Sequence, residues 1–296
     1  MLFFVFQGYN KSVKRNAKIN KTYYMKLLYG KPVADEILNR LKSEITLHSQ
    51  KPGLAVILIG NNEASKIYVA LKEKAAAEIG MNFFRHDLSE NVAEDEVINL
   101  IKKLNVDEKI HGIIVQLPLP SAFNTEKIIS AIDPKKDADG FCGQEKILQP
   151  VFPHAIALLI ESSGEKLENK KAIVIANSDE FGQTMVSVLG QKGISAEYVI
   201  SSEIQSNLGK IGEADIVASA VGSPGLLKGQ MCKEGAIIVD GGIEKVDSKI
   251  FGDVDFASFE TKNGFLTPVP GGVGPVTIAC LLENTFLAFK AQQKEK

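Results

Sequence analysis

The 296-residue chain has no tryptophan, three cysteines, four histidines and only three arginines (Arg15, Arg40 and Arg85). Cys142, Cys232 and Cys280 are widely spaced, odd in number and without a C-x-x-C pair. That excludes a disulfide framework and fits a reducing compartment. His48, His86, His111 and His154 form no i,i+4 pair, so no metal is expected. With 34 basic against 36 acidic residues the formal charge is −2, which lacks the basic excess of a general nucleic-acid binder. No run reaches the ~20 apolar residues of a membrane span. The expectation is a cytoplasmic protein with no nucleic-acid or membrane partner. Residues 1–24 place Leu2–Phe6 ahead of Lys11, Lys14, Arg15, Lys18 and Lys21. A signal peptide has the reverse order, so this stretch is expected to be a disordered or mis-assigned leader, with folding from about Met25.

What the chain does have is a run of three prolines and three glycines between Leu266 and Thr277, Pro268-Val269-Pro270-Gly271-Gly272-Val273-Gly274-Pro275. Neither a helix interior nor a central strand accommodates it. A stiff loop poor in side chains, feeding an apolar helix, suits backbone amides that touch a flat or anionic ligand; a rigid interdomain turn is the alternative.

Strand and helix patterns alternate along the rest. Ala34–Ile45 reads as an amphipathic helix, and Leu54–Ile59 as a strand buried on both faces. Asn61 or Asn62 can cap a helix from about Ala64 to Ile79, which Gly80 ends. Gly112–Val115, Ala172–Ile175, Ala196–Ile200, Asp215–Val221 and Ala236–Asp240 read as further strands, with a helix over Gln183–Gln191. The fold class is therefore α/β with parallel sheets in two domains joined near 150–160. The last helix, Val276–Lys290, is expected to pack back on the first domain. The domains are expected at 25–150 with 275–296, and at 151–274.

Tyr68 and Lys72 share one helix face at i,i+4, although a packing tyrosine and a surface lysine would look the same. Gln116 follows a buried strand at the edge where open α/β sheets bind ligands. Asp137 and Asp139 lie in a turn that could equally be a solvated loop.

In combination these segments closely resemble the bifunctional methylenetetrahydrofolate dehydrogenase/methenyltetrahydrofolate cyclohydrolase (FolD) family. Ala64–Lys74 is similar to the family's A-S-x-x-Y-V-x-x-K-x-K helix, and Val115–Pro120 to its V-Q-L-P-L-P segment. Lys136–Phe141 resembles K-D-V-D-G-F, Thr267–Pro275 matches T-P-V-P-G-G-V-G-P, and Leu281-Leu282-Glu283-Asn284-Thr285 follows as it does there. Ala220–Gly225 and Gly252–Phe256 also fit. The resemblance runs in order from about Met25 to the C-terminus. It implies a folate-binding catalytic domain, a Rossmann-like NAD(P)-binding domain, a homodimer, and one-carbon chemistry that feeds purine and amino-acid biosynthesis. Lys72, Gln116 and Tyr68 would be catalytic. Val115, Leu117, Asp139, Pro270, Gly271, Gly272, Val273 and Gly274 would join them in binding tetrahydrofolate derivatives, with Asp139 on the pterin.

The resemblance weakens at the nucleotide turn. The family's G-R-S-x-x-V-G-x-P is Ala176-Asn177-Ser178-Asp179-Glu180-Phe181-Gly182-Gln183-Thr184, so Asn177 replaces the arginine that would hold the 2′-phosphate of NADP. Lys170, Lys171 or Lys192 could substitute as point charges. Asp179 and Glu180 could compete with a pyrophosphate for the helix amides or simply face solvent. Ser201 remains from C-H-S with Glu203 near enough for a ribose, and Ile243 from D-V-G-I. Ala176, Asn177, Ser178, Gly182, Ser201 and Ile243 are thus the expected cofactor contacts. NADP is the family cofactor, and NAD becomes equal or better. The alternatives are a cyclohydrolase whose dehydrogenase activity is weakened or lost, and a non-catalytic nucleotide-binding protein on the same scaffold.

Overall fold

The computed structural model describes residues 25–141, 147–247 and 249–294; the leader and Cys142 lie outside the described residues. The elements run β1 (Met25–Leu27), α1 (Gly30–Thr46), β2 (Gly53–Ile59), α2 (Glu63–Glu78), β3 (Asn82–Leu88), α3 (Glu94–Val106), β4 (Gly112–Val115), α4 (Thr125–Ile129) and α5 (Val151–Glu161). They continue with β5 (Lys171–Ala176), α6 (Asp179–Gln191), β6 (Ser195–Ile200), α7 (Leu208–Glu213), β7 (Ile216–Ala220), β8 (Ile237–Asp240), β9 (Glu244–Val246), β10 (Lys249–Phe251), β11 (Gly264–Leu266) and α8 (Val273–Lys294).

Two parallel sheets organise the chain. The first has three strands in the order β3-β2-β4, and the second has six in the order β1-β11-β8-β7-β5-β6. β2 and β4 are buried along their whole length, because helices cover both faces of the sheet. Strand β1 precedes the first unit in sequence yet pairs with β11, register Met25 to Gly264, at the edge of the second sheet. From Met25 the chain therefore runs first in the second unit, crosses to the first, and returns.

α5 occupies the expected junction. Its Pro153 falls in the first turn, where a backbone N–H has no helical partner to lose. α8 starts three residues before the expected Val276 and packs along α1 and α5. It is long and apolar enough to cross a membrane by composition, but 67% of its most apolar window is buried inside the protein, as in a core helix. α6 starts at Asp179 rather than Gln183, because Ser178 Oγ caps it by accepting from Phe181 N–H. Gly182 is no break in this helix. A Cβ there would lie 2.4 Å from the Tyr198 ring, so glycine lets β6 and α6 approach.

Two buried carboxylates stitch the loops after β7 and β8. Asp253 accepts from Ser219 Oγ, Val221 N–H and Ser223 N–H at 2.6–2.8 Å. Asp240 accepts from the N–H groups of Gly242, Asp253 and Val254 at 2.9–3.0 Å. Burial pushes the Asp240 pKa up to about 6, against the pull of those N–H donors.

Candidate functional site

Three segments converge at the C-terminal edge of the first sheet. α2 is capped by Asn62, whose side chain accepts from Ser65 N–H, and it carries Tyr68 and Lys72 on one face. Gln116 continues β4, its N–H donating to Ile57 O at 2.8 Å. The segment after residue 136 meets β4 through a parallel bridge of Ile113 with Asp137 and then turns, Gly140 N–H donating to Asp137 O at 3.2 Å, so Asp139 lies in that turn.

Lys72 Nζ donates to Gln116 Oε1 at 2.7 Å. Gln116 Nε2 in turn donates to Leu117 O at 2.6 Å, which fixes the amide with its oxygen toward the lysine. Desolvation lowers the Lys72 pKa, opposed by the Asp139 carboxylate. Burial pushes Asp139 up to about 6, while Lys72 pulls it down and Asp137 raises it. Tyr68 is half-buried, and desolvation raises its pKa. The site thus holds an amine and a carboxyl group, each biased toward its neutral form by burial and toward its ion by the other.

The proline-glycine loop reaches the same place. Gly30 N–H donates to Gly271 O at 2.8 Å, and a Cβ on Gly30 would lie 1.8 Å from Gly272 O. The first turn of α1 is thus pressed against the loop, whose Gly271 has φ +108°. A Cβ on Gly274 would lie 4.0 Å from Tyr68 Oη, which places the loop beside the α2 face that carries Tyr68 and Lys72. Pro270 to Gly274 and the Tyr68–Lys72–Gln116 group are therefore neighbours. Beyond Gln116 on the same sheet edge, a cavity of 340 Å³ is lined by Gly60, Asn62, Glu90, Pro118 and Pro120 among others. Glu90 and this cavity gave no signal in the sequence.

The second group gathers at the C-terminal edge of the six-stranded sheet. β5 is flanked by β6 and β7, so the chain reverses its direction of winding there, the usual location of a dinucleotide crevice. Ala176 ends β5, and Ser178 opens the N-terminus of α6. Asn177 Nδ2 donates to Val221 O at 2.6 Å, and Ser201 Oγ donates to Asn177 Oδ1 at 3.0 Å. Asp179 is engaged by Tyr198 Oη at 3.0 Å, which turns its carboxylate toward β6. Ile243 is 46% exposed beside Gly222. Gly241, where the resembled family has valine, leaves room that Phe152 fills: a Cβ there would lie 2.9 Å from its Cζ.

The lysines considered as substitutes for the missing arginine are in the wrong place. Lys171 begins β5, about 20 Å from Asn177 at ~3.3 Å per residue. Lys170 precedes it and pairs with Glu165 at 3.8 Å. Lys192 follows the far end of α6, about 20 Å from the turn at ~1.5 Å per residue, and pairs with Glu161 at 2.8 Å. Arg40 pairs with Glu283 and Glu44, and Arg85 with Asp87 and Glu73, all away from this edge. The turn offers helix amides for a pyrophosphate, and among the described residues none of Lys170, Lys171, Lys192, Arg40 and Arg85 brings a cation to it.

The coupling between Lys72 and Asp139 can be read by titration. Above about pH 6 the ionised Asp139 supports the Lys72 ammonium, so Asp139→Asn should lower the Lys72 pKa further. Carbon-detected NMR of the Lys72 side chain checks this, and an unchanged midpoint would mean that the two groups are not coupled.

Comparison with known proteins agrees with this geometry. Residues 28–139 match the tetrahydrofolate dehydrogenase/cyclohydrolase catalytic domain, and residues 150–293 its NAD(P)-binding domain. The chain is 42% identical over 284 residues to the bifunctional protein FolD of Acetivibrio thermocellus, covering 92% of this chain and 99% of that protein. The crystal structure of the Campylobacter jejuni bifunctional enzyme FolD superposes with a TM-score of 0.85 at 38% identity, covering 91% of this chain and 100% of the other. The Trypanosoma brucei FolD, solved with NADP cofactor and an inhibitor, also gives 0.85, at 32% identity over 91% and 99% of the two chains. Two ordered domain matches, with relatives along nearly the full length, establish that the chain belongs to the tetrahydrofolate dehydrogenase/cyclohydrolase family.

Proposed function

We propose that this protein oxidises 5,10-methylenetetrahydrofolate to the methenyl cation with a nicotinamide dinucleotide and hydrolyses that cation to 10-formyltetrahydrofolate. The observation that carries the reading is the desolvated Lys72 amine held 2.7 Å from Gln116 Oε1 and electrostatically coupled to Asp139.

The physical roles follow from the placement. A cationic folate bridge beside Lys72 lowers the amine pKa further by like charge, in the same direction as its burial. Its neutral form then takes a proton from the water that attacks the methenyl carbon and returns it to N5 as the C–N5 bond breaks, while the second water proton leaves to solvent as the formyl C=O forms. Gln116 aims the amine through an uncharged contact, and Asp139 accepts hydrogen bonds from the pterin amino and ring N–H groups. Tyr68 stacks on the folate rings, while the backbone of Pro270–Gly274 walls the pocket with Val115 and Leu117. The dinucleotide, when bound at the β5 edge, supplies the hydride acceptor. Ala176, Ser178, Gly182, Ser201 and Ile243 line its path, and the α6 amides meet its pyrophosphate.

NAD is the better cofactor on this reading. Asn177 presents a neutral amide already committed to Val221 and Ser201, and Glu203, exposed just beyond Ser201, suits a ribose hydroxyl and repels a phosphate. A homodimer through the second unit completes the reading. The β9–β10 hairpin exposes Val246, Ile250 and Phe251 at 42–44%, an apolar surface that a second copy would cover.

Three measurements test these statements. Lys72→Ala should lose at least about 100-fold in cyclohydrolase kcat, followed as loss of methenyltetrahydrofolate absorbance; a loss under tenfold would remove Lys72 from the chemistry. Titrating NAD and NADP with methylenetetrahydrofolate should give the lower KM for NAD. A strong NADP preference would overturn the assignment at Asn177, and no hydride transfer with either would leave a cyclohydrolase alone. Light scattering should report a dimer that Phe251→Glu weakens, and a monomeric parent chain would refute the interface.

A further inference from the structure

The Leu281–Thr285 motif of α8 contributes no group to the chemistry above, yet Asn284 is 3% exposed and uses its whole amide. Its Nδ2 donates to Ala138 O at 2.9 Å and to Gln149 O at 2.7 Å. Its Oδ1 accepts from Gln149 N–H at 3.2 Å. Ala138 immediately precedes Asp139, and Gln149 stands two residues before α5.

These contacts bracket Asp139. The Val151 N–H that opens α5 donates to Asp139 O at 3.0 Å. On the other side, Ala138 N–H donates to Ile113 O at 3.3 Å, tying the segment to β4. Gly140, at φ +73°, turns the chain so closely that a Cβ would lie 2.5 Å from Gln149 O. Asn284 spans this closure from a third direction, on a helix that also fixes the β4 side: Thr285 packs where a Cβ on Gly112 would lie 2.7 Å from its Oγ1. The carboxylate of Asp139 is thus aimed by backbone held at both neighbours, and one buried side chain makes three of the contacts.

We infer that Asn284 is a positioning residue for the Asp139 carboxylate, setting the affinity for the pterin through the Ala138–Gln149 closure. This rests on the reading of Asp139 as the pterin acceptor. Removing the amide withdraws the donor that Asn284 gives to Ala138 O and Gln149 O and the acceptor it gives to Gln149 N–H, and the segment relaxes to recover hydrogen bonds elsewhere. The displacement falls mainly on substrate binding, because Lys72 and Gln116 keep their own contact, and the smaller change in kcat reports the shifted Asp139 field at Lys72.

The test compares Asn284→Ala and the isosteric Asn284→Asp with Thr285→Val and Asp139→Ala in the full chain. Cyclohydrolase KM and kcat, equilibrium binding of tetrahydrofolate and the melting temperature are measured for each. Both Asn284 variants should raise KM for methenyltetrahydrofolate, and weaken tetrahydrofolate binding, by about tenfold, with kcat changed less than about threefold. Thr285→Val, which loses only the bond to Leu281 O within the helix, should lower the melting temperature without moving KM. A KM within about twofold of the parent in both Asn284 variants, or failure of both to fold, would assign Asn284 to stability alone and overturn the inference. Asp139→Ala separates the two layers. If it binds tetrahydrofolate as the parent does, the Asp139 reading falls and takes the inference with it; if it loses binding while the Asn284 variants do not, only the inference fails.

Discussion

A lysine amine held by an uncharged partner is the contact on which the site depends. A carboxylate at hydrogen-bond distance from Lys72 would stabilise the ammonium and keep it from exchanging protons near neutrality. Gln116 supplies direction instead of charge, and its own Nε2 bond to Leu117 O prevents the amide from turning over. The countercharge, Asp139, acts electrostatically from the neighbouring segment, so burial still sets the net direction of the lysine pKa.

That contact requires a helix and a strand end to meet with little freedom. β2 lies between β3 and β4, and Gln116 N–H extends the ladder to Ile57, so the residue emerges from the sheet with its backbone already fixed. α2 is started at a defined residue by Asn62, which sets the azimuth of Tyr68 and Lys72. On the far side, α1 and the proline-glycine loop touch backbone to backbone at Gly30 and Gly272. Gly30 of α1 makes the first approach possible, and Gly274 brings the loop within ordinary contact distance of Tyr68 Oη.

Much of this was legible in the sequence because the chemistry sits in short contiguous motifs. The buried strand β2 announced itself as an unbroken apolar run, β4, β5, β7 and β8 as short mainly apolar segments, and the cap of α2 was visible as Asn61-Asn62. Strand β3 was missed because its Asn82–Leu88 pattern is half-buried and includes Arg85, His86 and Asp87. Helix α5 was hidden by Pro150 and Pro153, which read as a boundary although a first helical turn tolerates proline. Strand β1 has three residues and pairs across 239 positions of sequence, Met25 with Gly264, so no local pattern could reveal it. In the nucleotide turn the loss of the arginine was plain. The remoteness of Lys170, Lys171 and Lys192 became evident only once β5 and α6 had a direction.

The placement of β1 has a consequence for how the molecule holds together. The chain leaves the larger sheet at its outermost strand, builds the smaller sheet, and comes back through α5, with α8 laid finally on α1. Cutting at the α5 junction would strip β11 of its neighbour on one side and α1 of its cover on the other. The two halves are thus interlocked, each carrying an element that completes the other, through main-chain ties at β1 and β11 as well as side-chain packing of α8 on α1.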